Sequence, residues 1–294
     1  MDCDVAVIGA GPAGVQAAIH ASRKKASTVV LGKASASALE GTRIANYFGT
    51  GEMPGEEMLA AGRAQAEATG AVFEEQNVIS AAVSDGLFVL GLEDGGEVRA
   101  KAVVIATGIS RTKLNVPGEK ELFGKGVSYC AVCDCNFYRG RRAVVVGNDS
   151  EAAVSAELMT GYASETHWVC WDPKANDALV GRALDAGAVM HSSRPVSISG
   201  DGKVESIALE DGTVIPTDGV FIELGAKSAA DIAMDLGAMP EIDDTIKVDA
   251  DCSAGVPGVF ACGDVTGRPW QVAKAVGQGC VAGTAAADYT KGLK

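Results

Sequence analysis

The sequence predicts an α/β protein with two doubly wound modules, in which buried strands alternate with helices. The first module opens with an apolar run at residues 4–8, a Gly-rich turn at 9–14 and a periodic helix at 15–22. The strand–turn–helix order returns at residues 143–146 and 150–159. Hydrophobic residues make up 47% of the 294 residues and aromatic residues only 5%, with 37 glycines. This composition suits a tightly turned fold around a cofactor, and the length allows two domains.

The first turn reads G-x-G-x-x-G between a buried strand and a helix start, the context that gives this pattern its meaning. Gly9 allows the tight turn, Gly11 lets the backbone approach a pyrophosphate, and Gly14 packs the helix on the strand. The helix N-terminus attracts phosphates, so the predicted dinucleotide site also includes Pro12 and Ala13. The alternative is a Gly-rich turn that binds no ligand.

The second strand, at residues 28–31, ends without the acidic residue that binds a ribose in the general pattern. Gly32 and Lys33 stand there instead. Two interpretations of Lys33 remain open, a contact with a phosphate and a solvated lysine.

The rest of the first module is assigned from periodicity and turn residues. The predicted elements are a loop at 41–51, a helix at 56–69, a strand-rich stretch at 72–82, turns at 85–86 and 94–96, and a buried strand ending at 108. A linker is predicted at residues 112–118.

The second module continues with a strand at residues 165–171 and a hairpin over 198–209, with its turn at 201–202. Beyond it, the run GVFACGDV forms a short apolar strand that ends in Gly263 and Asp264. This order places a carboxylate where it can bind a ribityl or ribose hydroxyl. A helix of small residues follows.

The segment between the modules contains Cys130 and Cys133 in C-x-x-C spacing, followed at once by Asp134. Two residues between cysteines allow a disulfide to open and close with little backbone movement, and a neighbouring carboxylate can carry the proton. The alternative, half of a zinc site, has no second Cys/His pair at zinc spacing. The histidines stand far apart in the sequence, at His20, His167 and His191. A redox dithiol is therefore predicted, and no metal.

The net charge of −13 and the pI near 4.7 disfavour nucleic acid as a partner. No apolar run approaches transmembrane length, and the first strand starts too near the initiator Met to leave room for a signal peptide. Eight cysteines in such a chain are expected to be thiols rather than a disulfide framework. A cytoplasmic protein without a membrane partner is expected.

Together these motifs resemble those of the low-molecular-weight thioredoxin reductases, a family of flavin disulfide reductases. The shared runs are GAGPAG after the first strand, ATG at 106–108, VSYCAVCD at 127–134 and GVFACGDV at 258–265. The resemblance implies two Rossmann-like domains, the second inserted in the first. A discontinuous FAD-binding domain would cover 1–112 and 226–294, and a pyridine-nucleotide-like domain with the C-x-x-C would cover 113–225. It also implies FAD, a homodimer, and thioredoxin or a similar disulfide protein as partner.

Carried over by position, the resemblance makes Cys130 and Cys133 the redox pair, with Cys133 facing the flavin, and Asp134 the acid–base group. The implied flavin contacts outside the first turn are Gly32, Lys33, Asn46, Val78, Ala106, Thr107, Gly108, Gly263, Asp264, Trp270, Gln271 and Val272.

The second turn departs from the family pattern in a way that predicts loss of NADPH binding. Asn148 and Asp149 replace two glycines, and residues 170–172 read Cys-Trp-Asp where the family has the His-Arg-Arg that holds the 2′-phosphate. Asp149 would face the pyrophosphate and Asp172 the 2′-phosphate. Each like-charge pair at about 4–5 Å costs roughly 3–4 kcal/mol at a dielectric of about 20. Ferredoxin or another one-electron carrier is the expected donor; the alternative is a rearranged loop that still binds NADPH.

Other departures lie near the predicted chemistry. Cys135 replaces a glycine and is either a small residue in the same space or a third thiol able to pair with the other two. Trp270 replaces an arginine and either covers the flavin or packs, and residues 34–39 replace the family's Gly-Gly-Gln loop. Four further cysteines in apolar or Gly/Ala surroundings are expected to be buried and inert: Cys3, Cys252, Cys262 and Cys280.

Three functions follow as hypotheses. The leading one is an FAD-dependent thioredoxin or protein-disulfide reductase that does not use NADPH. The second is an oxidase, in which the same groups transfer electrons in the opposite direction, from small dithiols to oxygen. The third is a flavin-bearing redox sensor or interaction protein, which has no need of Asp134 beside a dithiol.

Overall fold

The computed structural model describes residues 1–108, 113–225, 227–241 and 243–292, and of Cys133 it describes no side chain. The chain divides into two compact units, Met1–Ser110 with Lys227–Lys294, and Arg111–Ala226. The domain boundaries predicted at residues 112 and 226 fall outside the described residues. The predicted α/β class is confirmed, with the second unit inserted in the first.

The strands are β1 Asp2–Ile8, β2 Thr28–Leu31, β3 Arg43–Ile44, β4 Met53–Pro54, β5 Val72–Glu74, β6 Val78–Ser84, β7 Leu87–Leu92, β8 Glu97–Ile105, β9 Val127–Ser128, β10 Arg142–Val146, β11 Glu165–Val169, β12 Val189–His191, β13 Pro195–Ser199, β14 Ser206–Leu209, β15 Val214–Pro216, β16 Gly219–Ile222 and β17 Val259–Ala261. The α-helices are α1 Pro12–Arg23, α2 Gly55–Ala68, α3 Ala131–Asp134, α4 Ser150–Thr160, α5 Asp177–Asp185, α6 Ala229–Asp235 and α7 Val272–Gly292.

The first unit contains a mixed sheet in the order β5-β2-β1-β8-β7-β6, with β17 also paired to β8. The strands β5, β2, β1, β8 and β17 run parallel, and the apolar runs of β1, β2, β17 and the second half of β8 are buried on both faces. Helices α1 and α7 cover one face. Their backbones nearly touch. A Cβ on Gly279 would lie 2.3 Å from the Ala13 carbonyl oxygen, and a Cβ on Gly283 would lie 2.1 Å from the Ala17 carbonyl oxygen. The small residues of α7 therefore allow this helix to pack closely against α1.

The second unit repeats the design with a parallel sheet in the order β12-β11-β10-β16-β9. The antiparallel strands β13, β14 and β15 pack their apolar side chains against one face of it. On β11, Trp168 is fully buried and its Nε1 donates to the Gly147 carbonyl oxygen at 2.9 Å. This bond fixes the turn after β10, where the second strand–turn–helix unit was predicted.

Several element bounds differ from the predictions for physical reasons. Helix α1 begins at Pro12 rather than residue 15, since proline is tolerated where the first N–H would be unpaired anyway. Strand β8 starts six residues before residue 103 and ends at Ile105; its first half alternates in burial because it pairs with β7 at a partly solvated face. The predicted loop at 41–51 contains β3, which pairs with β4. The predicted turns at 85–86, 94–96 and 201–202 are confirmed.

Within the described ranges, none of the helices has the length and apolar character needed to cross a membrane.

Candidate active site

The C-x-x-C motif begins at Cys130, after β9, and continues into the short helix α3. Because β9 pairs in parallel with β16, the carboxyl ends of both strands meet at one sheet edge. Ser128 on β9 accepts a hydrogen bond from the Cys130 N–H at 3.1 Å and donates one to the Cys130 carbonyl oxygen at 3.3 Å. Glu223, just past β16, accepts a hydrogen bond from the Ala131 N–H at 2.9 Å. Two strands therefore hold the backbone of this turn.

Cys130 is buried and disulfide-bonded. The side chain of Cys133 lies outside the described residues, so its role as the partner stays a prediction. Cys135 is a buried free thiol that donates to the Val132 carbonyl oxygen, with Sγ 3.4 Å from that oxygen. Cys135 therefore fills the space of a small residue here and is not part of a disulfide.

Asp134 is the last residue of α3 and is half-buried. It lies close enough to Tyr138 for its charge to act on the phenol. Burial first, and then the Asp134 charge, raise the pKa of Tyr138, so this phenol stays protonated. No sequence pattern singles out Tyr138. The acid–base role of Asp134 remains a prediction supported by its position.

Three of the four cysteines that were expected to be buried are buried, Cys3, Cys252 and Cys262, and their inertness stays a prediction. Burial raises the pKa of Cys3 to about 12 and that of Cys252 to about 11, and it raises the pKa of Cys262 as well. Cys280 differs from the expectation, because it is only half-buried and its Sγ lies 3.7 Å from Nδ1 of His20.

The Gly-rich turn after β1 has the geometry of a phosphate-binding turn. Gly9 has a φ of +117°, and a Cβ there would lie 2.3 Å from the Ala106 carbonyl oxygen. A Cβ on Gly14 would lie 1.8 Å from the Gly9 carbonyl oxygen, so glycine is required for the turn to close. Gly11 is different, since a Cβ there would meet only Ser37 Oγ at 3.7 Å. The space beside Gly11 is open, at the start of α1, whose first turn carries no acidic residue.

The second piece of this site is the 3-10 helix Gly263–Thr266, which follows β17. Gly263 has a φ of +81°, and a Cβ there would lie 2.7 Å from the Ala13 Cβ. This close packing brings Asp264 to the first turn of α1, although the two residues are far apart in the sequence. Asp264 Oδ1 is buried and has no hydrogen-bond partner among the described residues. Burial raises the pKa of Asp264, against the opposing charge of Lys274.

Other predicted flavin contacts lie at the start of α7. Asn46 Nδ2 donates to Gln271 Oε1 at 2.9 Å, which joins the loop after β3 to the residue before Val272. Trp270 is 45% exposed, and the Arg268 guanidinium carbon lies 4.1 Å from its ring centroid. The Trp270 side chain is therefore not packed in the core.

The remaining predicted contacts flank the same sheet. Lys33 is not simply solvated, because its Nζ lies 2.7 Å from Glu93 Oε1; a phosphate contact by Lys33 stays a prediction. Thr107 follows β8, and its buried Oγ1 lacks a hydrogen-bond partner among the described residues. Gly32 and Gly108 have positive φ angles, of +136° and +73°. Val78 is buried in the core.

In the second unit, the turn after β10 is covered by the chain that follows β11. Asn148 is buried, and its Oδ1 accepts hydrogen bonds from the N–H groups of Trp171 and Asp172 at 3.1 and 3.2 Å. Its carbonyl oxygen accepts bonds from the N–H groups of Lys174 and Ala175. The segment 171–175 thus lies over the turn where a dinucleotide pyrophosphate binds in this type of fold.

The two acidic residues of this region have different environments. Asp149 is the N-cap residue of α4, and its side chain makes no capping hydrogen bond. Asp172 is exposed and forms an ion pair with Lys174 at 3.0 Å. The charges of Asp172 and Asp149 both raise the pKa of Lys174. Lys174 therefore offsets part of the repulsion predicted for Asp172, a contribution that the sequence-based estimate missed.

Comparison with known proteins agrees with this geometry. The family profile described as pyridine nucleotide-disulphide oxidoreductase matches residues 3–279. The chain belongs to this family. A curated thioredoxin reductase of Aquifex aeolicus (strain VF5) is 35% identical over 99% of this chain and 94% of its own length.

Two solved structures resemble this oxidoreductase over nearly its whole length. An atypical thioredoxin reductase from Desulfovibrio vulgaris Hildenborough has a TM-score of 0.85 at 35% identity, covering 98% of each chain. A ferredoxin-flavin thioredoxin reductase from Clostridium acetobutylicum has a TM-score of 0.69 at 31% identity, covering 99% of this chain and 98% of its own. The protein is a flavin-dependent disulfide oxidoreductase similar to thioredoxin reductases.

Family membership implies FAD, and the described residues of this oxidoreductase fit it. The open space at Gly11 admits a pyrophosphate. The buried oxygen atoms of Asp264 and Thr107 have no hydrogen-bond partner among the described residues and can form hydrogen bonds with ligand hydroxyls. The resemblance identified most of this set, but Lys274 beside Asp264 and the hydrogen bonds of Asn148 were missed. Both depend on contacts between different elements of the fold, which no local sequence pattern reveals.

Proposed function

We propose that this oxidoreductase reduces the disulfide of thioredoxin or a similar protein, and that it receives electrons from a one-electron carrier such as ferredoxin rather than from NADPH. In this proposal the first unit is the FAD domain, and the inserted unit carries the dithiol on a pyridine-nucleotide-like scaffold. Cys130 and Cys133 form the redox pair, and Asp134 is the acid–base group.

The chemistry at the dithiol balances as a two-electron exchange. When bound and reduced by two electrons from the carrier, the flavin would supply the electron pair that, with two protons, opens the Cys130 disulfide to two thiols. A thiolate of the pair then attacks the substrate disulfide, forming a mixed disulfide and releasing one substrate sulfur as a thiolate. The second thiol of the pair attacks the mixed disulfide, which restores the internal disulfide and releases the second substrate thiol. Asp134 takes and returns the proton in these steps.

The assignment of the electron donor rests on the segment 171–175, which lies over the turn after β10. Asn148 holds four backbone N–H groups of the segment 171–175, which lies over the turn. Asp149 adds a carboxylate at the N-terminus of α4, the position that attracts the pyrophosphate in a working site. An NADPH molecule would have to displace this segment and approach a like charge. The similarity to a ferredoxin-flavin thioredoxin reductase supports the same conclusion.

A carrier protein needs a docking surface, and ferredoxins are usually acidic while this chain has a net charge of −13. Complementary local patches outweigh an unfavourable net charge over short distances. Arg139 and Arg141 follow the dithiol turn and are exposed. The chain has two basic clusters, Arg23 with Lys24 and Lys25, and Arg139 with Arg141 and Arg142. One residue of each cluster is ion-paired, Lys24 with Asp288 and Arg142 with Asp218. We assign docking to Arg139 and Arg141 because they are exposed and follow the dithiol turn.

The test is anaerobic thiol release. The holoenzyme is mixed with reduced ferredoxin and oxidised thioredoxin, and thiols are counted at several salt concentrations. The proposal predicts release that weakens as salt rises, because docking is electrostatic. No release at low salt, together with rapid dithiol-dependent oxygen uptake in air, would establish the oxidase instead.

The six cysteines with free thiols agree with a reducing compartment, so we place the protein in the cytoplasm. We also infer a homodimer from the family resemblance. A monomeric mass by light scattering at micromolar concentration would refute the dimer.

A further inference from the structure

Lys274, on α7, connects that helix to the turn that carries Asp264. Its Nζ donates a hydrogen bond to the Gly263 carbonyl oxygen at 2.9 Å and another to the Gly267 carbonyl oxygen. These two carbonyl groups bracket the 3-10 helix Gly263–Thr266. The ammonium group therefore spans the turn from its first residue to the residue after its end.

The same ammonium group interacts electrostatically with Asp264. Burial raises the pKa of the Asp264 carboxyl, and the Lys274 charge opposes that rise. Burial also lowers the pKa of Lys274, against the effect of Asp264 and of the buried thiols of Cys252 and Cys262. In the described parts of the chain, these are the charged or titratable groups that act on the pair. Burial therefore has the larger effect on the charge state of Asp264, and Lys274 is the charged group that opposes it.

The charge state of Asp264 determines how strongly its Oδ1 accepts a hydrogen bond from a ligand. Asp264 Oδ1 is buried without a hydrogen-bond partner among the described residues. An ionised carboxylate accepts a hydrogen bond from a ligand hydroxyl at this oxygen, and such charge-assisted bonds are the stronger kind. A protonated carboxyl group loses much of that acceptor strength and adds a buried donor.

We propose that Lys274 is a positioning residue for FAD, which holds the Gly263–Thr266 turn and keeps Asp264 in the ionised form that accepts a hydroxyl of the cofactor. This inference rests on FAD binding and not on the identity of the electron donor. Failure of the ferredoxin assignment leaves it intact.

The turn also has hydrogen bonds that do not involve Lys274. Gln278 Oε1 accepts a bond from the Gly263 N–H at 3.0 Å and from Thr266 Oγ1 at 2.8 Å. Replacing Lys274 by methionine removes the charge and the two bonds to carbonyl oxygens, while the Gln278 bonds still connect the turn to α7.

The experiment follows FAD release from the holoenzyme by the rise in flavin fluorescence between about pH 4 and 8. FAD binding is strongest above the pKa of Asp264 and weakens as the pH falls through it, because the ionised form accepts the hydroxyl more strongly than the protonated form. Lys274→Met should move the midpoint of release upward by about one pH unit. Lys274→Arg, which keeps the charge, should stay near the wild-type midpoint. Asp264→Asn should bind FAD more weakly and show no such acid-dependent step.

A Lys274→Met enzyme with the wild-type midpoint would overturn the proposal. An Asp264→Asn enzyme that keeps the acid-dependent release of FAD would also overturn the proposal. This second comparison decides the question even if Lys274→Met does not fold. Circular dichroism on each variant at neutral pH separates loss of FAD from loss of structure.

Discussion

The side-chain oxygen of Asn148 accepts a hydrogen bond from the backbone N–H of Asp172, across 3.2 Å. This bond connects the turn after β10 to the segment after β11, the two places where a nucleotide-binding member of the fold would hold pyrophosphate and ribose. The residue that replaces a glycine of the family pattern thus ties the neighbouring chain over the turn.

Asn148→Ala should destabilise the second unit, because two backbone N–H groups lose their acceptor in a buried place. The expected loss in the free energy of unfolding is about 1–3 kcal/mol. The measurement is the urea unfolding midpoint. Asp172→Ala is the matched control, since it removes only an exposed ion pair with Lys174 and keeps the backbone bond. Equal midpoints for the two variants would show that the Asn148 bonds contribute nothing.

Cys130→Ser should abolish disulfide reduction while FAD stays bound, because Cys130 is part of the disulfide and lies outside the FAD unit. Cys135→Ser is the control, as that thiol is free and only donates to a carbonyl group. It should retain most of the turnover. The readouts are thiol release from oxidised thioredoxin and the flavin absorbance of the purified protein. Loss of turnover in Cys135→Ser with the protein folded would make Cys135 a working thiol.

Two glycines of the first turn should respond differently to alanine. At Gly14 a Cβ would lie 1.8 Å from a backbone oxygen, so Gly14→Ala should lower the thermal midpoint and reduce soluble protein. At Gly11 the space is open in the protein itself, so Gly11→Ala should leave the fold intact and remove FAD, whose pyrophosphate needs that space. Differential scanning fluorimetry and the ratio of flavin to protein absorbance test both. Full FAD content in Gly11→Ala would place the pyrophosphate elsewhere.

Arg141→Glu should slow ferredoxin-dependent thiol release at low salt, by about tenfold or more, because association rates depend on local charge. Arg23→Glu changes the net charge by the same amount in the other basic cluster and is the control. Stopped-flow reduction of the flavin by ferredoxin gives both rates. Equal slowing in the two variants would indicate a general charge effect rather than docking at Arg141.

Much of the first unit, to which we assign FAD, could be predicted from the sequence, because its signals are local. The glycines at 9, 11 and 14 follow directly from a strand and a helix start, and GVFACGDV identifies Asp264 in the same way. The contacts that modify these signals could not be predicted. Lys174 beside Asp172 and Asn148 beneath segment 171–175 depend on how the chain folds back after β11.

The short elements were missed for a related reason. Helix α5 has nine residues, and the strand that follows it, Val189–His191, has three. Such lengths offer too few periods for an apolar pattern to be recognised. The bond between Lys274 and Gly263 likewise joins positions that no periodicity relates.

The most direct test of the donor assignment is the anaerobic flavin spectrum of the oxidised holoenzyme. NADPH or NADH at millimolar concentration should leave the flavin absorbance unchanged for minutes, and reduced ferredoxin added next should bleach it. The repulsion and coverage at the second turn predict this order. Rapid bleaching of the flavin by micromolar NADPH would contradict the account.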